Sequence, residues 1–130
     1  MSSANFQPSK KYNIILADPP WSYNNSGFDY AAAKQYSTMP LQDICTLPIA
    51  GLADKDCCLF LWAVSPLLPE AMDVIKSWGF EYKTVAFCWS KIESGGAWVS
   101  NMGRWTMGNV ELCLLATKGM PHRIIPNSNN

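Results

Sequence analysis

The chain predicts an α/β fold built on one mostly parallel sheet with an antiparallel strand at its edge. Four short runs, at Tyr12–Ala17, 57–64, Glu81–Ser90 and 110–117, are continuously apolar or alternate. Their length and their Ile, Leu, Val and aromatic content suit strands. Helical spacing appears between the first three, so strand and helix alternate as parallel α/β units require. The last two runs are joined without a helix, so they are expected to pair antiparallel at the sheet edge.

Taken in order, residues 1–9 read as a frayed leader. YNIILA at Tyr12–Ala17 is followed by Asp18-Pro19-Pro20, and two successive prolines have no N–H to give a neighbouring strand, so they end it. Residues 21–36, rich in Asn, Ser, Gly and Tyr, read as a long loop. Residues 39–47 are expected to form one short helix, with Pro40 in its first turn and Pro48 closing it. CCLFLWAV at 57–64 is nearly all apolar and predicts a strand covered on both faces. Ser65-Pro66 opens a helix with Leu68, Ala71, Met72, Ile75 and Trp78 at helical spacing; Pro69 pushes its start a turn later and Gly79 stops it. Within Glu81–Ser90, Val85, Phe87 and Trp89 alternate. Residues 91–107 read as a Gly-, Ser- and Trp-rich loop, and VELCLLAT at 110–117 as the last strand. Lys118-Gly119-Met120-Pro121 turns away from it. Residues 1–10 and 119–130 are expected to be flexible around a single domain.

Hydrophobic residues make up 48% of the chain and charged residues 15%, which excludes a disordered tail and asks for a packed core. Ten Lys plus Arg balance ten Asp plus Glu. Binding of nucleic acid by broad phosphate neutralisation is therefore not expected; such contact must be local, or helped by another chain. The cysteines (Cys45, Cys57, Cys58, Cys88, Cys113) include no Cys-x-x-Cys pair, and the one histidine, His122, lies in a polar tail. No metal site is expected. Reduced cysteines and a start without an apolar signal region predict a cytoplasmic protein. No apolar run approaches bilayer length, so no membrane partner is expected.

The chemistry concentrates in Asp18-Pro19-Pro20-Trp21, at the carboxyl end of the first strand, where open α/β sheets place their ligands. An exocyclic amine on a purine delocalises its lone pair into the ring. To attack an electrophile it must be polarised, and two acceptors aimed at its two N–H groups would do this. The Asp18 carboxylate supplies one, and a backbone carbonyl of the rigid Pro-Pro pair, that of Pro19, the other. Trp21 offers a flat face on which a base stacks. Such a reaction acts on a single strand or takes the base out of a duplex. The competing reading makes Asp-Pro-Pro a strand-ending turn and Trp21 a core residue.

Ala17-Asp18-Pro19-Pro20-Trp21 resembles the signature of the adenine-N6 methyltransferases named after the seventy-kilodalton subunit of the mRNA methyltransferase, the MT-A seventy family, and above all its short bacterial and phage members. The resemblance extends through Tyr36-Ser37-Thr38-Met39, Leu59-Phe60-Leu61-Trp62, Trp78-Gly79-Phe80, Lys83-Thr84-Val85-Ala86-Phe87, Gly103-Arg104-Trp105-Thr106 and Asn109-Val110-Glu111-Leu112-Cys113-Leu114-Leu115. It implies a Rossmann-like methyltransferase sheet and transfer of a methyl group from S-adenosylmethionine to adenine N6 of nucleic acid, DNA being the first expectation. Asp18, Pro19, Pro20 and Trp21 would be the catalytic motif, with Asp18 also beside the methionine part of the cofactor. Residues 22–36 would close over the target. Tyr23, Asn24, Lys91, Glu93, Arg104 and Asn109 would line the substrate pocket, with Arg104 either on a phosphate or simply exposed.

The resemblance runs out after Lys118. In similar proteins a polar loop, a helix and a further strand follow, with an acidic-Leu-Phe-Ala-like run that carries much of the cofactor pocket. Nothing here matches it, so the sheet is expected to be incomplete on its C-terminal side, with an unpaired edge beside Tyr12–Ala17. A second chain or a missing segment would complete it. Two other functions stand beside the first. One is a non-catalytic nucleic-acid-binding or scaffold subunit of a methyltransferase complex; silent relatives lose the Asp-Pro-Pro-Trp residues, which are intact here. The other is a methyltransferase of a protein amide or small molecule.

Overall fold

Two prolines end the first strand where the sequence predicts: β1 spans Tyr12–Ala17. The computed structural model describes residues 8–22, 37–103 and 105–123. Beyond β1 come α1 (Leu41–Cys45), α2 (Ile49–Leu52), β2 (Ala53–Val64), a 3₁₀ turn (Ser65–Leu67), α3 (Leu68–Ser77), β3 (Glu81–Ser90), β4 (Asn101–Met102), β5 (Met107–Gly108) and β6 (Val110–Lys118). Residues 1–7 and 124–130, for which flexibility was expected, lie outside the described residues.

The limits of α3 follow from its punctuation. Ser65-Pro66 makes the 3₁₀ turn, and Pro69 sits in the first turn of α3, where its missing N–H has no partner to lose. At the other end Gly79 takes φ +83°. The Phe80 N–H donates to the Ile75 carbonyl at 3.0 Å and the Gly79 N–H to the Lys76 carbonyl at 2.9 Å, the paired bonds of a Schellman stop.

One short helix does form within 39–47, shorter than expected, and a second that was not expected follows it. α1 ends at Cys45, and Pro48 is the residue that starts α2 rather than the one that closes α1. Proline lacks the N–H that the interior of a helix needs but suits its entrance.

β1, β2, β6 and β3 form one sheet in that order. β1 is parallel to β2, with Ile15 opposite Leu59 and Ala17 opposite Leu61. β6 is antiparallel to both β2 and β3. The sheet is therefore mixed, with one parallel pairing and two antiparallel ones among the described strands, and the reversed strand is inserted beside the edge rather than forming it. The return from β3 to β6, residues 91–109, carries hairpins and no described helix, so it comes back antiparallel instead of making a helical crossover. β6, apolar along most of its length, takes the interior slot. β3 carries Glu81, Lys83 and Thr84 and two register shifts, features that suit an edge strand.

The core lies on one side of the sheet. Leu59, Leu61, Leu114 and Ala116 pack there with Ile44 of α1 and with Ala71, Val74 and Ile75 of α3. Trp78 joins them, and its indole N–H donates to the Ile44 carbonyl at 2.9 Å. The expectation that residues 57–64 are covered on both faces is corrected. Cys57, Leu59, Leu61 and Ala63 are buried, whereas Cys58, Phe60, Trp62 and Val64 between them are only half-buried. The described helices that join the core all pack on one face. No described helix is long and apolar enough to cross a membrane.

Candidate active site

Because β6 runs against the other three strands, its first residues meet the carboxyl ends of β1, β2 and β3 at one end of the sheet. Asp18 follows β1 there. The turn behind it is held at every step. The Trp21 N–H donates to the Pro19 carbonyl at 2.8 Å, a three-residue turn, and the Met39 N–H donates to the Pro20 carbonyl at 2.8 Å. The Trp21 indole N–H donates to the Trp62 carbonyl at 2.9 Å, and its ring packs against the core. Trp21 thus fastens the turn to β2. One lone pair of the Pro19 carbonyl remains free for a further donor. Partial desolvation, and after it the nearby Glu111 charge, push the Asp18 carboxyl above its ordinary range.

A second group of polar residues stands at the same end, where β3 ends and β6 begins. The Asn109 side chain grips the backbone of Lys91 from both directions: its Oδ1 accepts from the Lys91 N–H at 2.6 Å and its Nδ2 donates to the Lys91 carbonyl at 3.0 Å. The Lys91 ammonium donates to Glu111 Oε1 at 2.7 Å, with both side chains about one-third exposed. It also lies 5.0 Å from the centre of the Trp89 ring, within cation–π range. β2 separates β1 from β6, so two strand spacings, roughly 10 Å, separate Asp18 from this group.

Of the residues expected from the sequence, Asp18, Pro19, Pro20 and Trp21 form one rigid turn, and Lys91 and Asn109 form one clamp at the same end. Glu93 is exposed, and its described hydrogen bonds are those of its backbone in a local turn, the N–H to the Ala97 carbonyl and the carbonyl from the Gly96 N–H, both at 2.8 Å. Tyr23, Asn24 and Arg104 lie outside the described residues, as does nearly all of the loop expected to close over the target. Glu111 was missed. Its signal was present as the one charge in the otherwise apolar VELCLLA. A depression of about 350 Å³ lined by Asn13, Asp54, Asp56 and His122 lies at the opposite end of β1 and β2, away from Asp18.

A profile of the MT-A70 family matches residues 12–130. The chain is also 36% identical to the type II methyltransferase M.MunI of Mycoplasma sp, over a match covering 86% of this chain and 53% of that protein. It spans about half the length of this curated relative. The chain belongs to the MT-A70 family.

Proposed function

We propose that this MT-A70 member is an S-adenosylmethionine-dependent methyltransferase that modifies adenine N6 in nucleic acid, DNA first, with Asp18, Pro19, Pro20 and Trp21 as its catalytic turn. The observation that carries the reading is that turn: an intact Asp-Pro-Pro-Trp, rigid, at the carboxyl end of β1, with a carboxylate pushed up in pKa and a proline carbonyl with a lone pair to spare. The likeness to a type II methyltransferase supports it.

Asp18 accepts one N–H of the target amine and the Pro19 carbonyl the other, which draws the nitrogen towards tetrahedral geometry. The N–C bond would form as the donor's S–CH3 bond breaks and a neutral thioether leaves, and the Asp18 carboxylate is the acceptor we assign for the proton the amine then sheds. The exposed part of the Trp21 ring is the platform for the base; its tether to Trp62 keeps that platform in register with Asp18. Tyr23, Asn24, Lys91, Glu93, Arg104 and Asn109 are assigned to the substrate side of the site.

S-adenosylmethionine supplies, when bound, a methyl group made electrophilic by its sulfonium. The described residues fit one end of that molecule: the Asp18 carboxylate suits an α-ammonium group. They offer no wall for its adenosine, because no described strand flanks the outer edge of β1. We assign that wall to a strand and loop beyond these residues, in the same chain or a second one.

The decisive assay incubates the protein with methyl-labelled S-adenosylmethionine and DNA or RNA, and looks for labelled N6-methyladenine by mass spectrometry. In a protein active under these conditions, Asp18→Ala is expected to lower turnover about a hundredfold or more, the scale of losing one oriented acceptor. Near-normal turnover, or label on another base position, ends the reading. The described residues supply one end of a cofactor site, and each cofactor hydrogen bond they do not supply is worth about 1 kcal/mol, so weak binding of S-adenosylmethionine is expected of them. Micromolar binding by the isolated monomer in a calorimeter would show that they already form the pocket.

A further inference from the structure

The loop between β3 and β6 is more ordered than a connection needs to be, and it exposes what loops usually hide. Lys91 and Asn109 staple its two ends together by the paired bonds at 2.6 and 3.0 Å. Beyond the staple the chain makes two hairpins. In the first, Ile92 bridges Trp98 around a turn in which Gly96 takes φ +83°, and the Val99 N–H ties back to the Lys91 carbonyl at 3.0 Å. In the second, β4 pairs with β5, and the turn between them is so tight that a Cβ on Gly103 would strike the Thr106 carbonyl.

These hairpins present Trp98 at 70% exposure and Trp105 at 96%. Leaving a tryptophan in water forfeits the largest burial gain any side chain offers, and such surfaces mark contact sites. Three features favour bases over a protein partner. The hairpins rise from the end of the sheet where Asp18 stands. Residues 92–108 hold only one acid and one base, Glu93 and Arg104, among small polar residues and glycines, so the backbone can approach closely but cannot neutralise a phosphate backbone. The whole chain has zero net charge, which leaves stacking as the available affinity.

We propose that residues 91–109 form a base-stacking arm, in which Trp98 and Trp105 stack on unpaired nucleobases flanking the target adenine. This rests on the nucleic-acid reading above. Bases next to an extruded adenine lose a stacking neighbour, and a flat indole replaces it without reading sequence.

The test uses fluorescein-labelled strands of about twelve nucleotides, DNA and RNA, with one adenine and 2-aminopurine beside it. The intact chain should bind single strands at low salt and quench the 2-aminopurine. Trp98→Ala and Trp105→Ala should each weaken binding roughly five- to hundredfold, the worth of one stacked base, and relieve the quenching. Trp98→Phe and Trp105→Phe should retain most of both. Both side chains are exposed, so unchanged circular dichroism checks the fold. Alanine variants that bind and quench like the parent overturn the proposal, as does a parent that binds no strand. Self-association of the parent that the alanine variants abolish, without any effect on strand binding, overturns it in favour of a second copy. The two readings fail separately: loss of methyl transfer to adenine with quenching intact removes the enzyme, whereas Asp18-dependent methylation with unchanged binding by the alanine variants removes only the arm.

Discussion

Both faces of the sheet carry large apolar side chains, and their fates are opposite. On the face towards the helices, Cys57, Leu59, Leu61, Leu114 and Ala116 are all at or below 1% exposure. On the other, Ile14 is 63% exposed, Leu16 69%, Phe87 60% and Trp89 52%. Among the described residues that face closes over itself where aromatic rings of β2 and β3 meet. The Phe60 and Phe87 rings lie 6.0 Å apart and the Trp62 and Trp89 rings 6.4 Å apart, roofing Cys113, whose thiol is pushed up in pKa by the resulting desolvation. Strands that pair in parallel normally bury both faces, so the difference teaches that hydrophobicity marks where cover is wanted, and the helices decide where it is supplied. Asp18, Lys91 and Glu111 sit at the carboxyl-end rim of this sheet.

The sharpest way to break the comparison is a matched pair of truncations. Leu61→Ala, in the middle of β2 on the helical side, should cost about 2–5 kcal/mol of stability through lost burial and a cavity. Leu16→Ala, on the bare face, should cost under about 0.5 kcal/mol. Urea titrations of both variants decide, and equal losses would mean that Leu16 is covered after all.

A smaller effect sharpens it. Cys88 is exposed on β3 while Cys113 lies beneath the aromatic roof. Alkylation at mildly alkaline pH should modify Cys88 first and Cys113 roughly tenfold more slowly or less, since burial removes both access and thiolate. Phe87→Ala opens the roof and should narrow the gap. Peptide mass mapping over time reads the order, and equal rates in the parent would show the roof to be open.

The smallest expected effect concerns the rim. Folding raises the Asp18 pKa, so between the ordinary carboxylate value and that raised value the native state holds more protons than the unfolded one. Stability therefore falls as pH rises through this window and the loss persists above it. Asp18→Asn removes the dependence and should make the protein slightly more stable at neutral pH while removing the assigned acceptor. A variant less stable than its parent at neutral pH would show that the carboxylate supports the fold rather than straining it.

Much of the architecture was legible. The limits of β1 and β3 match expectation residue for residue because each is bounded by residues that cannot continue a strand, Pro19-Pro20 after β1 and Gly79 before β3. The delayed start of α3 at Leu68 was legible from Pro69, and its stop from Gly79. Asp18 at a strand's carboxyl end was legible for the same reason. Pro48 was misleading because proline both closes one helix and opens the next, and only the backbone that follows says which.

What the sequence determined by itself is local: where strands stop, which residues cannot be helical, and that an Asp-Pro-Pro-Trp turn stands at a strand end. Tertiary structure alone decided three things. It inserted β6 between β2 and β3, because pairing partners far apart in sequence are chosen by the whole sheet. It covered Leu61 and left Phe60 half-open, because β2 is apolar at both positions and no periodicity distinguishes its faces. It brought Glu111 onto Lys91, because a reversed strand sets its first residues beside its neighbours' last. Spacing along a chain carries local sterics, whereas a contact across a sheet is a property of the order in which strands pack.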